Sequence, residues 1–229
     1  MPLHLQRDLD HLHHEVLSLS GVVEEMLEKA TRALFERNAH IADEVIGIDI
    51  IVDEREVQIE EECLKALALH QPVAVDLRRI ATVLKVNNDL ERMADLTVNL
   101  AERAKAVIEY PTFVIPPRLA RMADMAKGMV ADVLDSFVSM DSMAAARVGA
   151  TDELVDRMNC EIIEELQATM RTSPDQVVPA LHCFSASRHI ERISDHATNI
   201  SDDVIYMVDG VIVRHRFSGG GDVGSVTSG

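Results

Sequence analysis

The stretch ASRHIERISDHATNISDDVIYM, residues 186–207, decides the fold of this 229-residue chain. Its apolar side chains recur at alternating steps of four and three, which is typical of one buried face of a long α-helix. Residues 86–107 repeat the pattern, and such long stripes with short connections indicate antiparallel helical bundles. The two stripes are Ala186, Ile190, Ile193, Ala197, Ile200, Val204 and Met207, and Val86, Leu90, Met93, Thr97, Leu100, Ala104 and Val107.

An internal repeat organises the chain around these two helices. A shift of 100 residues places 91–102 on 191–202, and a shift of 103 places 49–62 on 152–165. Helices two and three therefore recur as helices five and six. We predict an all-α protein of two tandem three-helix bundles related by a pseudo-twofold repeat, residues 1–112 and 113–216, followed by a disordered Gly/Ser tail, 217–229. The predicted helices are 3–38, 40–70, 73–109, 117–146, 148–171 and 175–208.

Composition narrows the classes of function. With 39 acidic residues against 22 Lys and Arg, the formal net charge is -17. Phosphates repel such a surface, so we expect no nucleic-acid binding, and contact with a membrane only through partner proteins. Three cysteines without CxxC spacing, and no apolar run of about 18 residues, favour a cytoplasmic protein that spans no membrane. The cysteines, Cys63, Cys160 and Cys183, are expected to be buried.

Four motifs of the form acid-x-x-x-acid lie away from the apolar stripes. Residues four apart are neighbours on one helix face, where two carboxylates repel each other and a cation between them is stabilised. If neighbouring helices are antiparallel, the acidic lines face each other across a groove, and an Asn amide oxygen completes an oxygen-rich site. The predicted metal ligands are Asp49, Asp53, Glu91, Asp95 and Asn99 in the first copy, and Asp152, Asp156, Glu191, Asp195 and Asn199 in the second.

Two simpler interpretations compete with a metal site. A line of acids is often just a solvated helix face, and nearby arginines could neutralise the acids as surface ion pairs. The candidate arginines are Arg78, Arg92, Arg188 and Arg192. The histidines at 182, 189 and 196 align with Thr82, Asp89 and Leu96, so they lie outside the repeated pattern. We expect them to be polar surface residues and not ligands.

Two stretches resemble the paired signature of the PhoU family: DLERMADLTVNLAE at 89–102 and HIERISDHATNI at 189–200. The segment QPVAVDLR, residues 71–78, also resembles the family segment before the first signature. The resemblance covers roughly residues 1–210. It implies two three-helix bundles, a homodimer, and metal sites at the acid motifs for iron, zinc, manganese or magnesium.

The resemblance also implies a function. PhoU-like proteins restrain phosphate uptake and phosphate-starvation signalling as adaptors between a phosphate ABC transporter and a sensor histidine kinase, in the cytoplasm or at the inner membrane through those partners. We expect no enzyme activity, since no catalytic constellation stands out. Two alternatives stay open. One is a metal-dependent phosphohydrolase, which would need a water-positioning base and a closed pocket. The other is a metal-free acidic scaffold.

Overall fold

The computed structural model describes residues 3–213, and over that range the chain forms six α-helices and one short 3-10 turn, with no strand. The predicted disordered tail, 217–229, lies outside the described residues. None of the helices in 3–213 combines the length and apolar character needed to cross a bilayer. The helices are α1 (Leu3–Phe35), α2 (Ala39–His70), α3 (Ala74–Ile108), α4 (Pro117–Ser139), α5 (Ser142–Thr172) and α6 (Val177–Asp209), with the 3-10 turn at Pro174–Gln176.

Both predicted apolar stripes are buried along their whole length. They place α3 and α6 at the centre of the molecule, where these two helices make the most extensive helix–helix contact. Lys85 Nζ lies 3.0 Å from Asp203 Oδ1, and His196 Nδ1 lies 2.8 Å from Asp89 Oδ1. The position on α6 falls as the position on α3 rises, so the two helices are antiparallel. The all-α tandem-bundle prediction is confirmed.

The connection between α3 and α4 is held by one side chain. Arg37 has a positive φ of 55° at the end of α1 and reaches across the bundle. Its guanidinium donates to the carbonyl oxygens of Val107, Tyr110 and Phe113 at 3.1, 3.2 and 2.5 Å. The linker 109–116 lies near the predicted division. The boundary at 112/113 stays a prediction, because the hydrophobic core is continuous across both halves.

One predicted helix boundary is wrong. We expected the fourth helix to end at 146 and the fifth to begin at 148, but α4 ends at Ser139 and α5 begins at Ser142. Met140 adopts a left-handed φ of 52°, and the Asp141 carboxylate accepts from the backbone N–H groups of Met143 and Ala144 at 2.9 Å. Neither Pro nor Gly marks this break, so the N-cap acid was the only signal.

Removing this cap tests the corrected boundary. Asp141→Ala leaves two N–H groups at the start of α5 without their acceptor, and is expected to lower the free energy of unfolding by about 1 kcal/mol. Asp132→Ala, at an exposed position inside α4, is the control and should change the free energy of unfolding by less than about 0.5 kcal/mol. Urea denaturation measures both. Equal effects would mean that Asp141 does not cap α5.

Candidate metal centres

The structure brings the predicted acids together in two clusters, one between α2 and α3 and one between α5 and α6. In every motif the first acid is half-buried and the second is exposed, so no predicted carboxylate lies in a bundle core. Residues 91–100 and 191–200 share the same order of buried and exposed positions. The half-buried acids are Asp49, Glu91, Asp152 and Glu191, and the exposed ones are Asp53, Asp95, Asp156 and Asp195.

In the first cluster, carboxylates of α2 and α3 face one another closely enough to repel. Partial burial raises the pKa of Asp49, and the charges of Asp53 and Asp95 raise it further. Burial also raises the pKa of Glu91, and Asp95, Glu56 and Asp53 add to that rise. These couplings connect acids on two neighbouring helices, α2 and α3.

The second cluster shows the same coupling more strongly. Partial burial, then Asp156 and Asp195, raises the pKa of Asp152 to about 6, although the Ser194 and Thr198 hydroxyls oppose the rise. Desolvation, then Glu191 and Asp156, raises the pKa of Asp195 to about 6. Asp195 is exposed by surface area, so crowding by its acidic neighbours is a substantial part of this effect.

Several buried oxygen atoms in the clusters have no hydrogen-bond partner. They include Oδ1 of Asp49, Oδ1 of Asp152 and Oε2 of Glu191. An unpaired buried carboxylate oxygen is costly, and a hard cation is the partner that removes this cost. The donor set therefore fits a metal ion. No three His, Cys, Asp or Glu side chains between residues 3 and 213 are already arranged as a ligand set.

The two asparagines predicted as ligands are exposed. Asn99 donates from Nδ2 to the Asp95 carbonyl at 2.7 Å, in the preceding turn of α3. It also lines a polar groove of about 510 Å³ between α3 and α6, together with Glu91 and Asp95. Asn99 therefore lies beside the first cluster on its α6 side. Asn199 occupies the equivalent exposed position of the second copy.

One acid of the first cluster, Glu56, is not among the ligands predicted from the sequence. Glu56 lies one turn beyond Asp53 on α2, and its charge raises the pKa of Glu91 across the groove. Burial raises the pKa of Glu56 itself, and Glu60 and Asp53 contribute. Its position at i+7 from Asp49 was the available signal. The repeat does not mark this acid, because Asn159 stands at the equivalent position of the second copy.

The alternative interpretation, in which arginines neutralise the acids as surface ion pairs, holds at one position. Arg188 Nη1 lies 2.7 Å from Glu191 Oε1, so this acid of the second cluster has an ion-pair partner. Arg92 makes only a weaker, through-space contribution that opposes the rise in the Glu91 pKa. Arg92 and Arg192 line the same groove between α3 and α6. Neutralisation by arginine is therefore partial and is not shared equally by the two clusters.

The histidine and cysteine expectations need two corrections. His196 is buried, because its ring pairs with the buried Asp89 carboxylate between α3 and α6, whereas His182 and His189 are half-buried. Cys63 and Cys183 are buried as expected, and burial raises the pKa of each thiol to about 12. Cys160 is exposed, because it lies on the outer face of α5, next to the buried Asn159.

The cluster electrostatics can be tested without metal. Asp195→Asn should raise the free energy of unfolding of chelator-treated protein near pH 7.5 by about 1 kcal/mol, an amount reduced for solvent screening. The folded-state pKa of Asp195, about 6, exceeds its ordinary value of 3.8. The native state therefore binds the extra proton, and the wild type gains stability as the pH falls through 6.

The advantage of Asp195→Asn should accordingly fade between about pH 6 and pH 4. Urea denaturation in EDTA across this range measures it. Asp10→Asn, at an exposed position on α1, is the control. A stability difference between wild type and Asp195→Asn that stays constant from pH 7.5 to pH 4 would contradict the coupling.

Comparison with known proteins places the chain in a family. A PhoU domain matches twice, over residues 16–104 and 119–204. The chain is 36% identical over 212 residues to the "Phosphate-specific transport system accessory protein PhoU homolog" of Aquifex aeolicus, covering 93% of this chain and 96% of that protein. A homologue of the same name from Pseudomonas putida is 36% identical, over 91% of this chain and 82% of that protein.

Solved structures agree in fold. The crystal structure of PhoU from Pseudomonas aeruginosa has a TM-score of 0.86 at 33% sequence identity, covering 90% of this chain and 99% of that one. The phosphate transport system regulatory protein PhoU from Streptococcus pneumoniae has a TM-score of 0.85 at 26% identity, over 91% and 99%. Two matched domains, the shared fold and identities above 30% over nearly the whole chain lead to one conclusion: the chain belongs to the PhoU family.

Proposed function

We propose that this protein is a metal-binding regulator of phosphate transport. The observation that carries the proposal is the duplicated carboxylate cluster, whose buried oxygens at Asp49, Asp152 and Glu191 lack partners. The ligands are the ten residues predicted from the repeat, with Glu56 added to the first cluster. Carboxylate and amide oxygens suit hard cations, so iron, zinc, manganese and magnesium are the candidates.

Cation binding would relieve a cost that is built into the fold. Partial burial and like charge raise the pKa of acids in both clusters, which means that each folded cluster disfavours its own full ionisation. A cation between the helices turns this repulsion into attraction and links α2 to α3, and α5 to α6. Metal occupancy would therefore stiffen both bundles, and ligand binding to the native state would add to stability.

The regulatory role is supported by the relatives' names, which describe accessory proteins of the phosphate-specific transport system. We propose that the chain acts in the same way, without catalysis, by restraining phosphate uptake and phosphate-starvation signalling. Its partners would be components of a phosphate ABC transporter and a sensor histidine kinase, which it would reach from the cytoplasm, as a homodimer. The Arg188–Glu191 ion pair favours the second candidate, a metal-free acidic scaffold for the same partners.

Metal analysis tests the clusters directly. Protein purified without chelator and equilibrated in defined manganese, iron and zinc buffers should carry metal in the wild type. Asp95→Ala and Asp195→Ala should each lose a substantial share, and the double variant nearly all, because each removes an exposed carboxylate from one cluster. Asp10→Ala, on α1, should retain the wild-type content. Equally low metal in the wild type and the variants would remove the metal-site proposal.

A cellular assay tests the regulatory role. Cells that lack this protein should take up radiolabelled phosphate several-fold faster than wild-type cells in phosphate-rich medium, because the proposed restraint is gone. Wild-type protein and Asp10→Ala should restore slow uptake, whereas the Asp95→Ala/Asp195→Ala double variant should not, at equal protein abundance. Full restoration by a metal-free double variant would establish the acidic scaffold instead, and unchanged uptake in the deletion strain would contradict a role in phosphate transport.

A further inference from the structure

Two of the positions at which the repeat is imperfect change the charge of the carboxylate clusters. Under the 103-residue shift, Glu56 of the first cluster corresponds to Asn159 of the second. Under the 100-residue shift, Asn88 corresponds to Arg188. Both differences act in the same direction, since each makes the second cluster less negative than the first.

The first cluster contains five carboxylates that act on one another across α2 and α3. Glu91 is coupled to Asp95, Glu56 and Asp53, and Asp49 is coupled to Asp53 and Asp95. None of these five acids forms an ion pair within residues 3–213. Within residues 3–213, no ion-pair partner therefore competes with a cation for the acids of the first cluster.

The second cluster contains four carboxylates, and one of them already has a cationic partner. The Arg188 guanidinium lies 2.7 Å from Glu191 and, at its exposed position on α6, competes with any cation for that carboxylate. The acids Asp152, Asp156 and Asp195 complete the set. With four negative charges and one positive charge against five negative charges, the second cluster attracts a cation less strongly at the same separations.

One fully buried amide whose oxygen has no hydrogen-bond partner contacts the first cluster, and another lies on α5. Asn87, 1% exposed, donates from Nδ2 to Glu56 Oε1 at 3.3 Å, which places the amide within the first cluster, and its Oδ1 is unpaired. Asn159, 2% exposed, has an unpaired Oδ1 at the position that Glu56 occupies in the first cluster. Such oxygens need an electropositive partner, and a cation bound beside them would supply one.

We infer that the two centres differ in cation affinity. The α2/α3 cluster is the high-affinity cation site, and the α5/α6 cluster is a weaker site because Arg188 competes with the cation for Glu191. The inference rests on the proposed metal binding. It means that one centre fills at low cation concentration, while the other fills over a higher range and must displace the Arg188–Glu191 pair. Once the tight centre is full, further changes in cation concentration alter the occupancy of the weaker centre.

Calorimetric titration of the chelator-stripped full chain with MnCl2 tests the inequality. The wild type should show two classes of Mn²⁺ binding separated by about tenfold or more in Kd, as the difference in charge implies. Asp95→Ala should delete the tight class, and Asp195→Ala the weak one. Loss of the tight class in Asp195→Ala, or a single class in the wild type, would overturn the inference.

Substitutions at the positions where the clusters differ in charge test the cause of the difference in Mn²⁺ affinity. Arg188→Asn, which introduces the residue found at Asn88, should tighten the weak class about three- to tenfold, because Glu191 loses its competing partner. Glu56→Gln removes the charge and keeps the size of the side chain, and it should weaken Mn²⁺ binding in the tight class. Arg171→Asn, at an exposed position in the last turn of α5, is the matched control and should change neither class.

Asn159→Glu completes the exchange, and its circular dichroism and thermal unfolding are measured alongside, since the position is buried. If Asn159→Glu does not fold, Arg188→Asn and Glu56→Gln decide the question alone. Unchanged classes in both variants would overturn the inference and leave metal binding intact. No Mn²⁺ binding in the wild type would instead overturn the proposed metal sites themselves, and this inference with them.

Discussion

The antiparallel packing of α3 against α6 sets the rotation of both helices, and the positions of the acids depend on that rotation. The apolar stripes are buried along their entire length, so neither helix can turn without exposing part of the core. Polar contacts refine the same interface, since the buried Asp89 pairs with His196, and Asp203 pairs with Lys85. Glu91 and Glu191 each follow a buried residue of the stripe, so they lie at its edge, beside the acids of the neighbouring outer helix.

That rigid frame keeps like charges together. Free carboxylates would separate, yet α2 and α5 are anchored by their own buried positions, including Val45, Val52, Val148 and Val155. The repulsion is visible in the raised pKa values of both clusters. A cation bound between these helices would relieve the repulsion and so would stabilise the folded state, which is the physical basis of the function that we propose.

The two copies of the repeat share the same pattern of buried and exposed positions but differ in the charge of their acid clusters. The order of buried and exposed positions agrees residue for residue over 91–100 and 191–200, because packing demands the same shape in both halves. The halves differ in the charge of their cluster residues, with Asn159 in place of Glu56 and Arg188 in place of Asn88. If the two centres bind cations with unequal strength, as we infer, a single fold would respond to two ranges of cation concentration.

The sequence alone determined the helical class, the two apolar stripes, the repeat and the four acid motifs, since helical periodicity and one-face spacing are local properties of the chain. It did not determine where α4 ends, because a single N-cap acid marks that break. Nor did it identify Glu56 as a cluster member or His196 as a buried partner of Asp89, because those contacts join side chains of separate helices that only tertiary packing brings together. Arg188 was one of four candidate arginines in the sequence, and the side-chain geometry on α6 selected it as the partner of Glu191.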